Sequence, residues 1–358
     1  MNTYSLSTLL RRLTAPPGLS GYEDSIAQEV EALWKPLVDQ VSRNRLGSVI
    51  GFRSGRGAAP RPRLMLVAHQ DSIGLMVSGI QEGFLRLTEI GGVDHRILPG
   101  QLVQIHGKRT LSAVVVQPPP FLLPPEAQGG SVPLPYLWAD TGLEESEVRR
   151  WVRVGDPVSF ARNYLELGSD LVCSPSLDNR ASLCALTLCL QELCSRQPVW
   201  DVWAVSSTQE EETLGGAVTS GFQIRPDIAV VIDVTHASGP STPSHKTYPL
   251  GRGVTLGWGP TVHPKLYETF KDLAEKLEIP YKMEPMPRYS GTDADRLQTV
   301  AEGIPTMVIS IPLRYMHTPV EIVSKKDIQR AARLITEFAA TIEIGFMDKL
   351  RWEETPKT

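Results

Sequence analysis

The sequence predicts an α/β fold whose parallel sheet is interrupted by a small β-rich insertion, and three observations predict it. First, short apolar runs such as LMLVA (64–68), VWDVWAVSS (199–207), IAVVI (228–232) and TMVISI (306–311) alternate with stretches of helical periodicity, the rhythm of buried strands and their crossover helices. Second, from about Gly74 to Arg162 that rhythm gives way to short alternating runs separated by Gly, Pro and Asp. Third, five residues able to hold a metal lie far apart in the chain, yet each sits where an apolar run stops: His69, Asp178, Glu211, Asp233 and His317. In a parallel α/β sheet ligands bind outside the carboxyl ends of the strands, so such residues can meet in one pocket.

With 358 residues the chain is too long for one small core and suits two domains, or one large domain with an insertion. Hydrophobic residues make up 41% and charged residues 21%, as in ordinary globular proteins. The net charge of −4 and pI near 6.0 supply no electrostatic reason to expect nucleic acid as partner. No apolar stretch is long enough to span a bilayer and the start does not resemble a signal peptide, so no membrane partner is expected. The cysteines, 173, 184, 189 and 194, form no CxxC pair. They read as reduced thiols used as small buried hydrophobes, which points to a cytoplasmic protein.

Taken in order, NTYSLSTLLRRLTAPPG reads as a short amphipathic helix stopped by Pro16 and Pro17, and GLSGYEDSIAQEVEALWKPL as a capped helix with an acidic first turn. A strand around SVIGF, a basic Gly/Pro-rich loop (RSGRGAAPRPR) and the strand LMLVA ending at His69 follow. In the insertion, FLRLTEI, LVQIHG, LSAVVVQ and DPVSFA read as strands of a barrel-like unit and EESEVRRWV as its helical stretch. PPPFLLPPEAQGGSVPLP is expected to be a mobile loop. From Ser174 the α/β rhythm resumes: a helix (ASLCALTLCLQELC), the strand VWDVWAVSS, a helix after GGAVTSG, the strand IAVVID, the helix HPKLYETFKDLAEKLE, the strand TMVISI and a long helix from about Lys325. The expected division is residues 1–73 and 164–358 for the main domain and 74–163 for the insertion.

Each candidate ligand has a bland reading when taken alone. His69 suits a packed core histidine, but Asp71 two residues on could fix its tautomer as metal-binding histidines require. Asp178 suits a helix N-cap. Glu210-Glu211-Glu212 suits a solvated turn, yet buried strands seldom end in three charges, and successive side chains diverge enough for a ligand and a general base. Asp233 suits a loop starter, and His317 lies beyond a strand that Thr318-Pro319 is expected to end. His95, His106, His245 and His263 read as loop or insertion residues without catalytic role, and His236 as a surface-loop residue or a group supporting Asp233. Two imidazoles and three carboxylates without a thiolate suit zinc, cobalt or manganese held for chemistry.

The motifs GLSGYE, AHQDSIG, GQLVQIHG with VGDPVSF, SPSLDNR, QEEETLGGA, VIDVT, SGTDAD and IPLRYMHTPVE, in that order across nearly the whole chain, resemble the glutamyl aminopeptidase family of dinuclear metallopeptidases, which includes the tetrahedral TET aminopeptidases. The resemblance implies a three-layer α/β sandwich with a mixed, mostly parallel sheet and a PDZ-like or barrel-like insertion used in dimerisation. It implies two divalent transition-metal ions per chain: His69 and Asp233 on one, Glu211 and His317 on the other, Asp178 bridging them. Glu210 is the implied general base for a bridging water, and Asp71 the support of His69. The implied substrates are peptides with a free N-terminus, and the implied assembly is a homo-oligomer, a dimer or a dodecamer.

The chain departs from the family pattern at Ser72, where a glutamate is usual, at Glu212-Thr213 in place of Val-Gly, at Gly215 in place of arginine and at Ser290 in place of glycine. The rival readings are another co-catalytic metallohydrolase (a carboxypeptidase or N-deacylase), a two-carboxylate glycosidase, which leaves the histidines unexplained, and a non-catalytic oligomeric scaffold. The scaffold predicts a missing ligand or base, and none is missing from the sequence.

Overall fold

The computed structural model describes residues 4–161 and 164–351. It contains an 11-stranded mixed sheet and a separate closed barrel of six strands. Four parallel strands form the middle of the sheet: Asp201–Ser207, Arg63–His69, Ile228–His236 and Thr306–Arg314, side by side in that order. They are the apolar runs of the sequence, and they are buried along nearly their whole length because both faces are covered. Flanking strands pair antiparallel: Val49–Arg53 and Gln40–Arg43 beyond one side, Glu321–Ser324, Leu171–Ser174 and Leu165–Leu167 beyond the other; Val254–Trp258, antiparallel to Thr306–Arg314, and Tyr281–Pro285, parallel to Val254–Trp258, complete the sheet. Gln40–Arg43 and Leu165–Leu167 are short and bury no residue, so they carry little apolar signal.

The helices Leu177–Leu193 and Lys325–Thr341 pack on each other and on the sheet, and Leu6–Thr14 packs on Leu177–Leu193. Ser5 caps Leu6–Thr14 by accepting the Thr8 N–H. The indole N–H of Trp34, at the end of the helix Asp24–Trp34, donates to Thr187 Oγ1 at 3.0 Å and ties that helix to Leu177–Leu193. The expected cap on Asp24–Trp34 is absent: Glu23 stands at the N-cap position but makes no side-chain cap bond, because its carboxylate is engaged elsewhere. The helix expected after GGAVTSG begins within that motif, at Gly215, and runs to Ile224. Among the described residues no helix is long and apolar enough to cross a membrane.

The barrel closes through Gly74–Gln81, Phe84–Ile90, Trp138–Asp140, Thr110–Val116, Leu102–His106 and Pro157–Phe160, all paired antiparallel. Its strands alternate, Leu85 and Leu87 pointing inward and Phe84, Arg86 and Thr88 outward. Leu75, Val77, Val103, Ile105, Val115, Ala139 and Val158 complete a core separate from that of the sheet. The Pro-rich segment carries more local structure and apolar anchoring than its composition suggests. It makes 3₁₀ turns at Pro120–Leu122, Pro125–Ala127 and Leu134–Tyr136 and buries Leu123, Ala127 and Val132 in the barrel core. At the junction with the sheet, a Cβ on Gly74 would fall 1.6 Å from Leu19 Cδ2, so a larger residue where the chain enters the barrel would have to displace Leu19. The expected far end of the insertion, at 163, lies outside the described residues.

Candidate metal centre

The parallel register lines up the first two histidine–carboxylate neighbours. Ser207 pairs with His69, and the pairs Ile228↔Leu64 to Val231↔Val67, continued, bring Asp233 level with His69. The strand itself does not stop at Asp233, as the sequence suggests, but runs on to His236 beside Thr306–Arg314. What stops is its pairing with Arg63–His69, whose last pair is Val231↔Val67, and the ligand row lies just beyond. His69 and Asp233 are both buried.

Glu210 and Glu211 come from the loop after Asp201–Ser207, and carboxylates below the loop hold it by its backbone. Glu23 accepts the N–H of Gln209 at 3.0 Å, and Asp71 accepts those of Glu210 at 3.0 Å and Glu211 at 3.1 Å. Glu23 also accepts from Gly21 at 2.8 Å, which explains why it caps no helix. Three successive amides are thus fixed and the two glutamate side chains aimed. Glu212 points away and accepts the N–H of Gly91, from a loop of the barrel, at 2.7 Å.

Asp178 opens the segment Leu177–Leu193 but does not cap it. It and Asn179 have non-helical backbone angles, the peptide between them is cis, and Ser176 at the N-cap position makes no side-chain cap bond either. The segment is held instead by two bonds: the Asp178 backbone N–H donates to Glu321 Oε2 at 3.0 Å, and the Asn179 side-chain Nδ2 donates to the Ile232 carbonyl at 3.0 Å. His317 lies in the connection between Thr306–Arg314 and Glu321–Ser324, at φ 62. Thr318-Pro319 interrupts the pairing but does not end it, since Leu313 and Arg314 pair with Val323 and Ile322 across the turn. The His317 N–H donates to Glu321 Oε1 at 3.0 Å, and its Nδ1 lies 2.9 Å from the carbonyl of Gly92, again in the barrel loop.

These elements bring all seven candidates together. His69 Nε2 lies 3.2 Å from Asp178 Oδ1, 3.7 Å from Asp233 Oδ1 and 3.8 Å from Glu210 Oε2. His317 Nε2 lies 3.3 Å from Glu211 Oε2 and 3.6 Å from Asp178 Oδ2. Asp178 therefore turns one oxygen to each imidazole. Its two triads, His69–Asp178–Asp233 and Asp178–Glu211–His317, each have ligand atoms within 4.8 Å of one another. His69 Nδ1 faces the backbone carbonyl of Asp71 at 3.2 Å and its carboxylate at 3.5 Å.

The electrostatics are those of a crowded anionic pocket. Burial lifts Glu210 well above the usual carboxylate range; His69 opposes this, while Asp233, Asp293 and Glu211 add to it. Burial and Asp178 push Glu211 up to about 7, and burial raises Asp233 as well. His317 is drawn up to about 9, first by its hydrogen bond to Glu211. Burial alone would lower His69, but Glu210, Asp178, Asp233 and Asp71 outweigh it and raise it well above an ordinary histidine. Glu211 Oε1 is buried with no hydrogen-bond partner among the described residues. Four carboxylates around two imidazoles, with an oxygen left over, fit divalent cations: two positive ions relieve the repulsion and take the orphan oxygen. Nitrogen and oxygen donors without sulfur suit zinc, cobalt or manganese.

Three buried carboxylates around the site have no assigned role in the sequence reading. Glu321 holds the backbones of both Asp178 and His317, and burial raises it well above the usual range. Asp293 accepts from Ser207 Oγ, and burial lifts it to about 7. Glu23, which steers the glutamate loop, is pushed by burial up to about 7. The signals were faint: Glu321 ends the HTPVE motif and Asp293 lies in SGTDAD, but neither follows an apolar run. Of the departures from the family pattern, Ser72 bonds the Gly18 carbonyl at 3.1 Å and Ser290 bonds Asp295. A cavity of about 330 Å³ opens on the site, lined by the two histidines, Asp178, Glu210, Glu211 and Asp233 with Leu214, Val234, Gly291 and Met316. His95, His106, His236, His245 and His263 are not among its lining residues.

The sequence model of the M42 glutamyl aminopeptidase family matches residues 47–334. A lysyl aminopeptidase of Pyrococcus furiosus is 35% identical over 333 residues, covering 91% of this chain and 94% of its own. The crystal structure of a TET aminopeptidase from a marine-sediment thaumarchaeote superposes with a TM-score of 0.91 at 27% identity, over 97% of this chain and 99% of that one. A TET1 peptidase of Pyrococcus horikoshii, described as assembling into a tetrahedron or a large octahedral shell, superposes with a TM-score of 0.81 at 27% identity, over 94% of this chain and 100% of that one.

Proposed function

Because this chain belongs to the M42 glutamyl aminopeptidase family, we propose a role for each clustered side chain in a two-metal aminopeptidase. The activity is hydrolysis of the N-terminal residue from peptides with a free amine, dependent on two divalent metal ions. We assign His69 and Asp233 to one ion, Glu211 and His317 to the other, and Asp178 to both. One observation carries the assignment: Asp178 Oδ1 faces His69 while its Oδ2 faces His317. When bound, a pair of such ions supplies Lewis acidity, acidifying a water and polarising the scissile carbonyl.

The remaining work is done by the chain. Glu210, ionised when the two cations are bound and made a stronger base by its burial, takes the proton of the attacking water on a carboxylate oxygen and returns it to the leaving nitrogen. Asp71 acts twice. Its backbone carbonyl and carboxylate face His69 Nδ1, which leaves Nε2 free to bind metal, and its carboxylate aims Glu210 and Glu211 through their amides. Glu321 fixes Asp178 and His317 in the same way.

The test is Glu210→Gln, which keeps the shape and removes the proton acceptor. Two equivalents of metal should remain bound while kcat falls by about 10²–10⁴-fold. Turnover like that of the unmodified enzyme would sink the assignment. Hydrolysis of N-acetylated in preference to free-amine peptides would transfer the site to a deacylase or carboxypeptidase.

We place the domain limits at residues 73/74 and 163/164. We also propose a homodimer joined through the barrel, whose outer face carries exposed Phe84, Leu102, Phe121 and Leu122, with a dodecameric cage as the larger assembly. The self-assembly of the Pyrococcus horikoshii relative supports this, and light scattering of the purified protein tests it. A cytoplasmic location is supported by four free cysteines.

A further inference from the structure

Resting on the aminopeptidase reading, we infer that the enzyme prefers peptides whose first residue has an uncharged, apolar side chain of about leucine or methionine size, and disfavours acidic and basic ones. The cavity at the metal centre is about 330 Å³, at the small end for ligand pockets, so it holds little more than one residue. Six of its ten lining residues are those assigned above to metal or proton, which leaves Leu214, Val234, Gly291 and Met316 as walls for a substrate side chain. Each is held next to the chemistry. Leu214 precedes the helix Gly215–Ile224, Val234 follows Asp233, and Met316 precedes His317. Gly291 leaves its side open, because a Cβ built there meets nothing within 4 Å.

Among the described residues no lysine or arginine lines the cavity. An acidic side chain entering it would give up water and find no lysine or arginine to pair with, the charge of the two ions being already matched by the carboxylates that hold them. A basic side chain would find those carboxylates committed to the ions. An apolar side chain would cover Leu214, Val234 and Met316, and methionine adapts well to such partners. Both the acidic residue in the family's name and the basic one in the name of the Pyrococcus furiosus relative are therefore disfavoured here.

The experiment measures kcat/KM of the zinc- or cobalt-loaded enzyme on leucyl, methionyl, lysyl and glutamyl anilides, and the binding of free leucine and glutamate by calorimetry. Leucyl and methionyl substrates should exceed both charged ones by about 10-fold or more, and leucine should bind more tightly than glutamate. A glutamyl or lysyl substrate that equals or exceeds them overturns the inference and leaves the aminopeptidase reading standing. Hydrolysis confined to N-blocked peptides overturns the reading itself. L214R should raise the glutamyl-to-leucyl ratio about 10-fold by supplying the missing cation, and M316R serves if L214R does not fold. A folded variant with an unmoved ratio overturns the inference.

Discussion

His69 stands on the last rung of a central parallel strand with its side chain 1% exposed, whereas His317 sits in a hairpin connection with its side chain 34% exposed. The ligands beside them differ in the same way. Asp233 lies inside a sheet strand, while Glu211 rides on a loop held by the carboxylates of Glu23 and Asp71. The inner half of the site is a product of the fold's core, and the outer half is assembled from connections. The outer half also depends on the barrel, whose Gly92 carbonyl faces His317 Nδ1 and whose Gly91 N–H is held by Glu212. A ligand on a packed strand is preorganised and costs little to order, so the inner ion should be the tighter of the two.

The largest effect should come from the residue the halves share. Asp178→Ala should weaken both ions by at least about 100-fold and abolish turnover; loss of one ion alone, seen by metal analysis, would break the bridging role. His69→Ala and His317→Ala should each lose one ion, and only the first should also destabilise the metal-free fold, by about 1–3 kcal/mol on chemical denaturation, because it empties a buried position. Equal destabilisation by the two would erase the contrast between core and connection. Glu212→Val should cut the tether to the barrel and speed loss of the outer ion about 10-fold in a chelator-exchange assay, while Glu212→Gln, which can still accept from Gly91, should not.

The smallest effect concerns pH. In the metal-free protein Glu211 and Asp293 are raised to about 7, so they contribute stability that is complete below about pH 4.5 and 3.8 respectively and is lost as pH rises through 7. His317, raised to about 9, contributes stability complete below about pH 6.5 and lost through pH 9. The signs agree, so these groups should make the metal-free Tm fall between about pH 5 and 9. The gain from adding metal should grow over the same interval, since the ligands bind metal deprotonated. A metal-free Tm that rises with pH would contradict this electrostatic account.

The inner half was the more legible in the sequence, for a physical reason. A strand buried on both faces is a continuous apolar run, so its end announces itself, as LMLVA does before His69. The loop glutamates could be read because three charges after such a run need compensation. Glu23 and Glu321 act on backbone amides across the molecule and Asp293 on the Ser207 hydroxyl, and no local pattern marks a carboxylate whose partner lies 143 or 186 residues away. Of the flanking strands Val49–Arg53, with three buried residues, was legible in SVIGF, whereas Gln40–Arg43 and Leu165–Leu167 are short and bury no residue. The anchoring of the Pro-rich segment was hidden because composition shows its turns but not that the apolar side chains of Leu123, Ala127 and Val132 dock on the barrel.

The central claim is an asymmetric dinuclear centre joined by Asp178, and calorimetric titration of the metal-free protein with zinc or cobalt tests it most directly. The account predicts two equivalents per chain with separable affinities, the tighter retained in His317→Ala and lost in His69→Ala. A single equivalent, or a tighter ion that disappears with His317 and survives without His69, would contradict it.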